Sequence, residues 1–155
     1  MKKTNAMRKL EELKIDYQAI EYDANTEVDG EVIASVVHED PKHVYKTLVI
    51  EGVQDHAYYV FCIPVNDHLD LKKAARLTGE KKLDMLAMKD LRAVTGYIRG
   101  GVSPLGMKKD FPTFVQEIQE GPICISAGKK GMQIKLDPRE LVEKCGFTWG
   151  DIVKE

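Results

Sequence analysis

Chemistry in this 155-residue chain is most concentrated between Thr95 and Gly106, where Gly96, Gly100, Gly101 and Gly106 stand among Arg99, Ser103 and Pro104. Such a run cannot form a regular element, because glycine loses the most backbone entropy on ordering and proline has no N–H for a ladder. The spacing predicts a shaped loop. In it Gly100-Gly101 would leave backbone amides open to an oxyanion or a phosphate, although a tight connection between two strands would use the same residues. Three sharper motifs fail. Met107-Lys108-Lys109 after Gly106 breaks the P-loop spacing and supplies no hydroxyl for magnesium. Ser103 precedes Pro104, which has no N–H to stabilise an oxyanion, so it is a poor nucleophile. The glycines also miss the one, three, six spacing of a dinucleotide site.

Lys46 is the second candidate. It interrupts the β-forming run Val44-Tyr45-Lys46-Thr47-Leu48-Val49-Ile50, and side-chain alternation puts it on the face of Val44, Leu48 and Ile50. Lysine is almost never fully buried without a partner, so its ammonium either snorkels to solvent or faces a polar cavity. The turn Ala127-Gly128-Lys129-Lys130-Gly131 is the third, a hairpin tip rich in amides and cations. Two such turns in one small domain favour a composite anion site over either turn alone. Cys62, Cys124 and Cys145 are odd in number and widely separated, and no histidine stands at ligand spacing, so free and mostly buried thiols are expected, with no metal and no cofactor. No Ser-His-Asp set and no carboxylate pair is evident. A catalyst here must therefore work by positioning and by stabilising developing charge.

The elements that hold these residues read as follows. Thr4 or Asn5 caps a helix with Met7, Leu10 and Leu13 on one face. Tyr17 to Tyr22 reads as a strand, and Glu31 to His38 as a short helix stopped by Asp40-Pro41. Val44 to Ile50 and Ala57 to Ile63 read as a hairpin, and Asp70 caps a helix that Thr78-Gly79 ends. Leu83 to Leu86 reads as a short buried segment and Met88 to Val94 as a helix leading into the glycine loop. Phe111 to Ile118 fits strand or helix equally. Pro122 to Ser126 and Met132 to Leu136 form a second hairpin. Asp137-Pro138-Arg139-Glu140 has the cap and N1 proline of a last helix, stopped at Cys145-Gly146. Terminal helices around hairpin-paired strands predict an α+β fold in one domain over residues 1–155.

Net charge is −2, which argues against indiscriminate nucleic-acid binding. It is unevenly spread: residues 72 to 109 hold ten Lys or Arg against Glu80, Asp84 and Asp90, a local +7 that leaves −9 elsewhere. That excess beside a glycine loop suits a polyanion, as solvated helix lysines also would. The apolar runs fall short of a membrane span and the charged start is no signal peptide, so a cytoplasmic protein is expected.

Taken together, Val44-Tyr45-Lys46-Thr47-Leu48, Leu69-Asp70-Leu71-Lys72-Lys73, Thr95-Gly96-Tyr97, the run from Gly100 to Gly106 and Ser126-Ala127-Gly128-Lys129-Lys130-Gly131 resemble, in order and spacing, the YbaK family of aminoacyl-tRNA editing domains, close to its Cys-tRNA(Pro) deacylases. The likeness runs nearly end to end. It implies a barrel-like mixed β-sheet flanked by helices, related to the editing domain inserted in bacterial prolyl-tRNA synthetases. It also implies hydrolysis, in trans, of the ester of a mischarged tRNA, with the acceptor end of aminoacyl-tRNA as substrate, prolyl-tRNA synthetase as a candidate partner, and neither DNA nor membrane. The resemblance makes Lys46 the central functional residue with Gly100 and Gly101, and places Tyr22, Thr47 and Ser126 in the pocket, with Asp29, Ser103 and Gly128 as further substrate-binding candidates. For a cysteinyl ester it implies attack by the substrate's own thiol. Asp29 stands where closer relatives carry an aromatic residue, and Gln133 where they carry an acid; both bear on amino-acid preference. The alternatives are a water-dependent deacylase for a substrate such as Ala-tRNA(Pro), and a non-catalytic tRNA or synthetase-binding module.

Overall fold

The run of β-formers around Lys46 becomes the inner strand from which the site is built. In the computed structural model, which describes residues 2–155, β2 (Tyr45–Gly52) pairs antiparallel with β3 (Tyr58–Pro64) along its length, Lys46 opposite Ile63 and Thr47 opposite Cys62. The hairpin is one the sequence anticipates. Its strands sit in a five-stranded mixed sheet of order β4-β2-β3-β5-β8, in which β4 (Leu83–Met85) runs antiparallel to β2, while β5 (Thr113–Gln116) and β8 (Thr148–Gly150) run parallel to β3. A second, antiparallel sheet of order β1-β7-β6 is made by β1 (Tyr17–Glu21), β7 (Met132–Leu136) and β6 (Ile123–Ser126).

The two sheets meet at one isolated parallel bridge, Val44 with Cys124. They do not close into a barrel, so the expected mixed sheet is present as two open sheets. Between them lies the larger core, with Met7, Leu10, Val60, Cys62, Ile125, Ile134 and Leu141. It is sealed by α1 (Asn5–Glu12), capped by Thr4, and by α5 (Pro138–Cys145), capped by Asp137 and ended by left-handed Gly146. The opposite face of the five-stranded sheet carries a second core around Ile50, Phe61, Ile63 and Phe114, covered by α3 (Leu71–Thr78) with its Asp70 cap and Gly79 stop. Successive β3 residues therefore enter opposite cores, Val60 and Cys62 one way, Phe61 and Ile63 the other. That is why the strand is apolar at every position.

Four expectations change. The helix expected from Glu31 to His38 is α2 (Gly30–Val36), capped by Asp29; left-handed His38 ends it, with Glu39 N–H on the Ala34 carbonyl at 3.0 Å. Pro41 instead opens a 3-10 turn. The ambiguous 111–118 segment becomes β5, held between two parallel neighbours. Its partner β8 is only three residues long and is invisible to periodicity. Leu83 to Leu86 is an edge strand rather than a buried segment, with Leu83 buried and Met85 54% exposed. The helix before the glycine loop is a 3-10 turn followed by α4 (Leu91–Thr95).

Candidate active site

The site lies along β2 where its two neighbours part. β6 touches the start of β2 at Val44, and β4 takes up its edge only from Ile50 onward. Val65 N–H donates to the Val44 carbonyl and Gly52 N–H to the Ala57 carbonyl, both at 2.8 Å. Even-numbered residues of β2 therefore turn their backbone groups toward β3. Odd-numbered residues turn away: the Val49 carbonyl accepts from Leu86 N–H at 3.0 Å, and the N–H and C=O of Thr47 point into the gap between β6 and β4. This gap is a cleft of about 350 Å³. Its walls come from α2, β2, the Met85–Leu91 segment, the glycine loop and the facing ends of β6 and β7.

Lys46, Thr47, Gly100 and Ser126 all line the cleft, joined by Arg99 and Gln133. Lys46 is half-buried and shares its sheet face with Leu48 and Ile50, as alternation requires. The ion pairs among the described residues do not include it, so its charge is available to a ligand. The lining contains two cations, Lys46 and Arg99, and no carboxylate, histidine or cysteine. Ser126 Oγ accepts from Gly128 N–H at 3.2 Å, which holds the hairpin tip in shape.

The two glycine-rich turns come together beside this cleft. Gly100 has φ +87°, and a Cβ there would stand 2.6 Å from Val28 Cγ1 and 3.2 Å from Lys130 Cε. A Cβ on Gly101 would lie 2.9 Å from Lys129 Cα. Glycine is thus required by contact between loop and hairpin tip. Gly101 differs from the expectation in one respect: its N–H donates to the Ile98 carbonyl at 2.9 Å and the residue is buried. Its amide is spent within the loop and is not open to an oxyanion, so Gly100 alone of the pair fronts the cleft.

The remaining expected site residues lie around the cleft rather than in its lining. Ser103 is fully buried, its Oγ accepting from Leu105 N–H at 3.3 Å. Asp29 is exposed and its carboxylate accepts from Glu31 N–H at 2.8 Å, capping α2. Tyr22 N–H donates to the Gly131 carbonyl at 2.9 Å, and Gly128, at φ +99°, packs on the Tyr97 ring. These residues shape the two turns. The sequence reading did not single out the apolar walls Val28, Ile33, Val65, Met85 and Met88, which carry no local signal. Arg99 entered it only as one charge of the basic segment.

No protein thiol is poised to attack. Burial pushes Cys62 and Cys124 up to about 12 and Cys145 to about 11, and none lines the cleft. His43 is turned to the Pro122 carbonyl at 2.9 Å. The cleft can therefore hold an anionic or carbonyl-bearing group against Lys46 and the Gly100 loop, with no thiol or imidazole in its lining to attack it.

Comparison with known proteins bears on the family and the fold. Residues 27–144 match the family described as aminoacyl-tRNA editing domain. The chain is 45% identical, over 97% of its length and 93% of the relative's, to a candidate Cys-tRNA(Pro)/Cys-tRNA(Cys) deacylase of Enterococcus faecalis, EbsC. It is 27% identical to the prolyl-tRNA editing protein ProX of Acetoanaerobium sticklandii, over 70% of this chain and 65% of that one. A crystal structure described as a candidate trans-editing enzyme for prolyl tRNA synthetase superposes with a TM-score of 0.85 at 25% identity, covering 96% of this chain and 94% of that one.

Proposed function

The chain belongs to the aminoacyl-tRNA editing domain family, and we propose that it acts in trans as a deacylase of mischarged tRNA, with cysteinyl-tRNA(Pro) as substrate. The observation that carries this reading is the cleft with a free lysine and no cysteine, histidine or carboxylate in its lining. An aminoacyl ester is already activated, so positioning and charge stabilisation suffice to cleave it. Lys46 and the Gly100 loop hold the ester carbonyl and the terminal adenosine, and Arg99 and Lys130 supply cations for phosphate at the mouth. The substrate's thiol supplies the attack: it loses its proton, sulfur bonds to the carbonyl carbon, the ester C–O bond breaks and the ribose oxygen takes up a proton. Water then opens the resulting thioester ring. Prolyl-tRNA synthetase, the source of such errors, is the partner that fits this role, and the cytoplasm is the place.

The test is single-turnover deacylation of cysteinyl-, seryl- and alanyl-tRNA(Pro). Cysteinyl ester should be cleaved at least about 100-fold faster than seryl, because a hydroxyl is almost wholly protonated at neutral pH while a thiol supplies some reactive thiolate. The same preference should persist when Cys62, Cys124 and Cys145 are all replaced by alanine. Comparable rates on the three esters would replace thiol attack by attack of a bound water.

A further inference from the structure

The larger core is not roofed everywhere. A groove of about 380 Å³ opens where the end of α1, residues 104–113 and the end of α5 meet. It is as roomy as the cleft at Lys46 and shares no lining residue with it. Its floor is apolar: Leu13, Met107, Phe111, Cys145 and Phe147 line it, and all five are partly buried side chains packed on the larger core. Apolar surface left in contact with water at such a place is surface that a partner can cover with a gain in free energy.

The rim is cationic. Lys9, Lys109 and Lys144 line the groove with Asp110 as its single acid. Lys144 is engaged by Glu140 at 3.3 Å and by the Lys14 carbonyl at 3.0 Å. Lys9 and Lys109 enter none of the ion pairs among the described residues. The complement to three ammonium groups around an apolar floor is a ligand that carries carboxylates on either side of a bulky apolar group. A helical RNA fits poorly. Its phosphates offer nothing to the floor, and a polyanion spread over this face meets Glu11 and Glu12 of α1 and Glu140 and Glu143 of α5, which flank the groove. A short peptide segment confined to the groove avoids those carboxylates.

We propose that this groove docks an acidic segment of a partner protein, which seats one bulky apolar side chain on the floor and sets its flanking carboxylates against Lys9, Lys109 and Lys144. The assignment is independent of the chemistry at Lys46. It leaves the cleft free for substrate, yet places the partner against the far end of the same glycine loop: Leu105 lines the groove, its carbonyl accepts from Tyr97 OH, and Gly128 of the hairpin tip packs on the Tyr97 ring.

The test uses three capped pentapeptides, Glu-Asp-Phe-Asp-Glu, Lys-Lys-Phe-Lys-Lys and Glu-Asp-Ser-Asp-Glu, titrated into the isotope-labelled full chain and followed by amide NMR. The first should shift the amides of Leu13, Gly106, Phe111 and Phe147 and bind at least about 10-fold more tightly than the other two. Lys9→Glu and Lys109→Glu should each weaken it about 10-fold with the melting temperature unchanged. Lys72→Glu, an exposed lysine of α3 outside the groove, should not weaken it. Absence of those shifts would overturn the proposal. So would equal binding of the lysine peptide, which removes the charge argument, equal binding of the serine peptide, which removes the floor, or an equal loss in Lys72→Glu, which reduces the attraction to net charge. An acceptor-stem RNA hairpin that shifts the groove amides where the acidic peptide does not would assign this face to nucleic acid instead.

Discussion

Lys46 is held half-buried by an apolar strand face, with its ammonium free of the ion pairs that occupy Lys73, Lys135 and Lys144. A cation so placed is pre-oriented, and pre-oriented charge in a low-dielectric cleft stabilises an oxyanion far more than it would in water. Lys46→Ala should lower the deacylation rate by at least about 100- to 1,000-fold with an unchanged melting temperature, because the side chain contributes little to either core. Lys46→Arg should recover only part of that loss, since the planar guanidinium presents its donors at a different depth from an ammonium. Full activity in a folded Lys46→Ala protein would remove this residue from the mechanism.

At the scale of elements, catalysis depends on two turns locking together rather than on either alone. The loop after α4 and the tip between β6 and β7 touch through Gly101 and the Lys129 backbone, and through Gly100 and Lys130. Gly101→Ala sets a Cβ against main-chain atoms that cannot swing aside. The turns must then separate by a few tenths of an ångström, at a cost of about 1–3 kcal/mol in stability. Because Gly100 and Ser126 sit on the two separated pieces, substrate affinity should fall along with stability, although Gly101 itself does not line the cleft. Chemical denaturation and the KM for aminoacyl-tRNA check the two effects together. A variant that loses stability with its KM unchanged would show that the turns act independently.

Across the whole molecule, the basic segment from residue 72 to 109 is divided between structure and function. Lys73 reaches Asp151 at 3.3 Å and the Val153 carbonyl at 2.9 Å, tying α3 to the C-terminal segment. Lys89, Arg92 and Arg99 are exposed on the segment that leads past the cleft, and Gly100, next to Arg99, lies against Lys130. Binding of tRNA should therefore weaken steeply between low and physiological salt, with each neutralised phosphate adding about 0.7–0.9 to the logarithmic slope. Lys130→Ala should reduce that slope by just under one. Lys73→Ala should leave it unchanged while lowering the melting temperature. A flat salt response would mean that the excess charge does not face RNA.

What the sequence by itself determined is what neighbouring residues encode. The caps Thr4, Asp70 and Asp137 and the left-handed stops Gly79 and Gly146 act within one turn of their helices. The hairpins β2–β3 and β6–β7 close over short, polar turns. Lys46 and the two glycine turns stood out for the same reason: one charge in an apolar strand, or several glycines in a few positions, is a local anomaly. Tertiary structure decided the rest. The parallel pairing of β3, β5 and β8 joins segments dozens of residues apart, through burial spread over many side chains, and no single residue of β8 announces it. Two open sheets rather than a barrel follow from where β6 leaves β2. That divergence turns the Thr47 backbone toward a gap that Gln133 also lines. Whether Gly101 offers its amide was equally undecidable locally, because only the folded loop sets the Ile98 carbonyl 2.9 Å from its nitrogen. Short-range preferences fix elements; the distances among Lys46, Ser126 and Gln133 are set by how those elements pack.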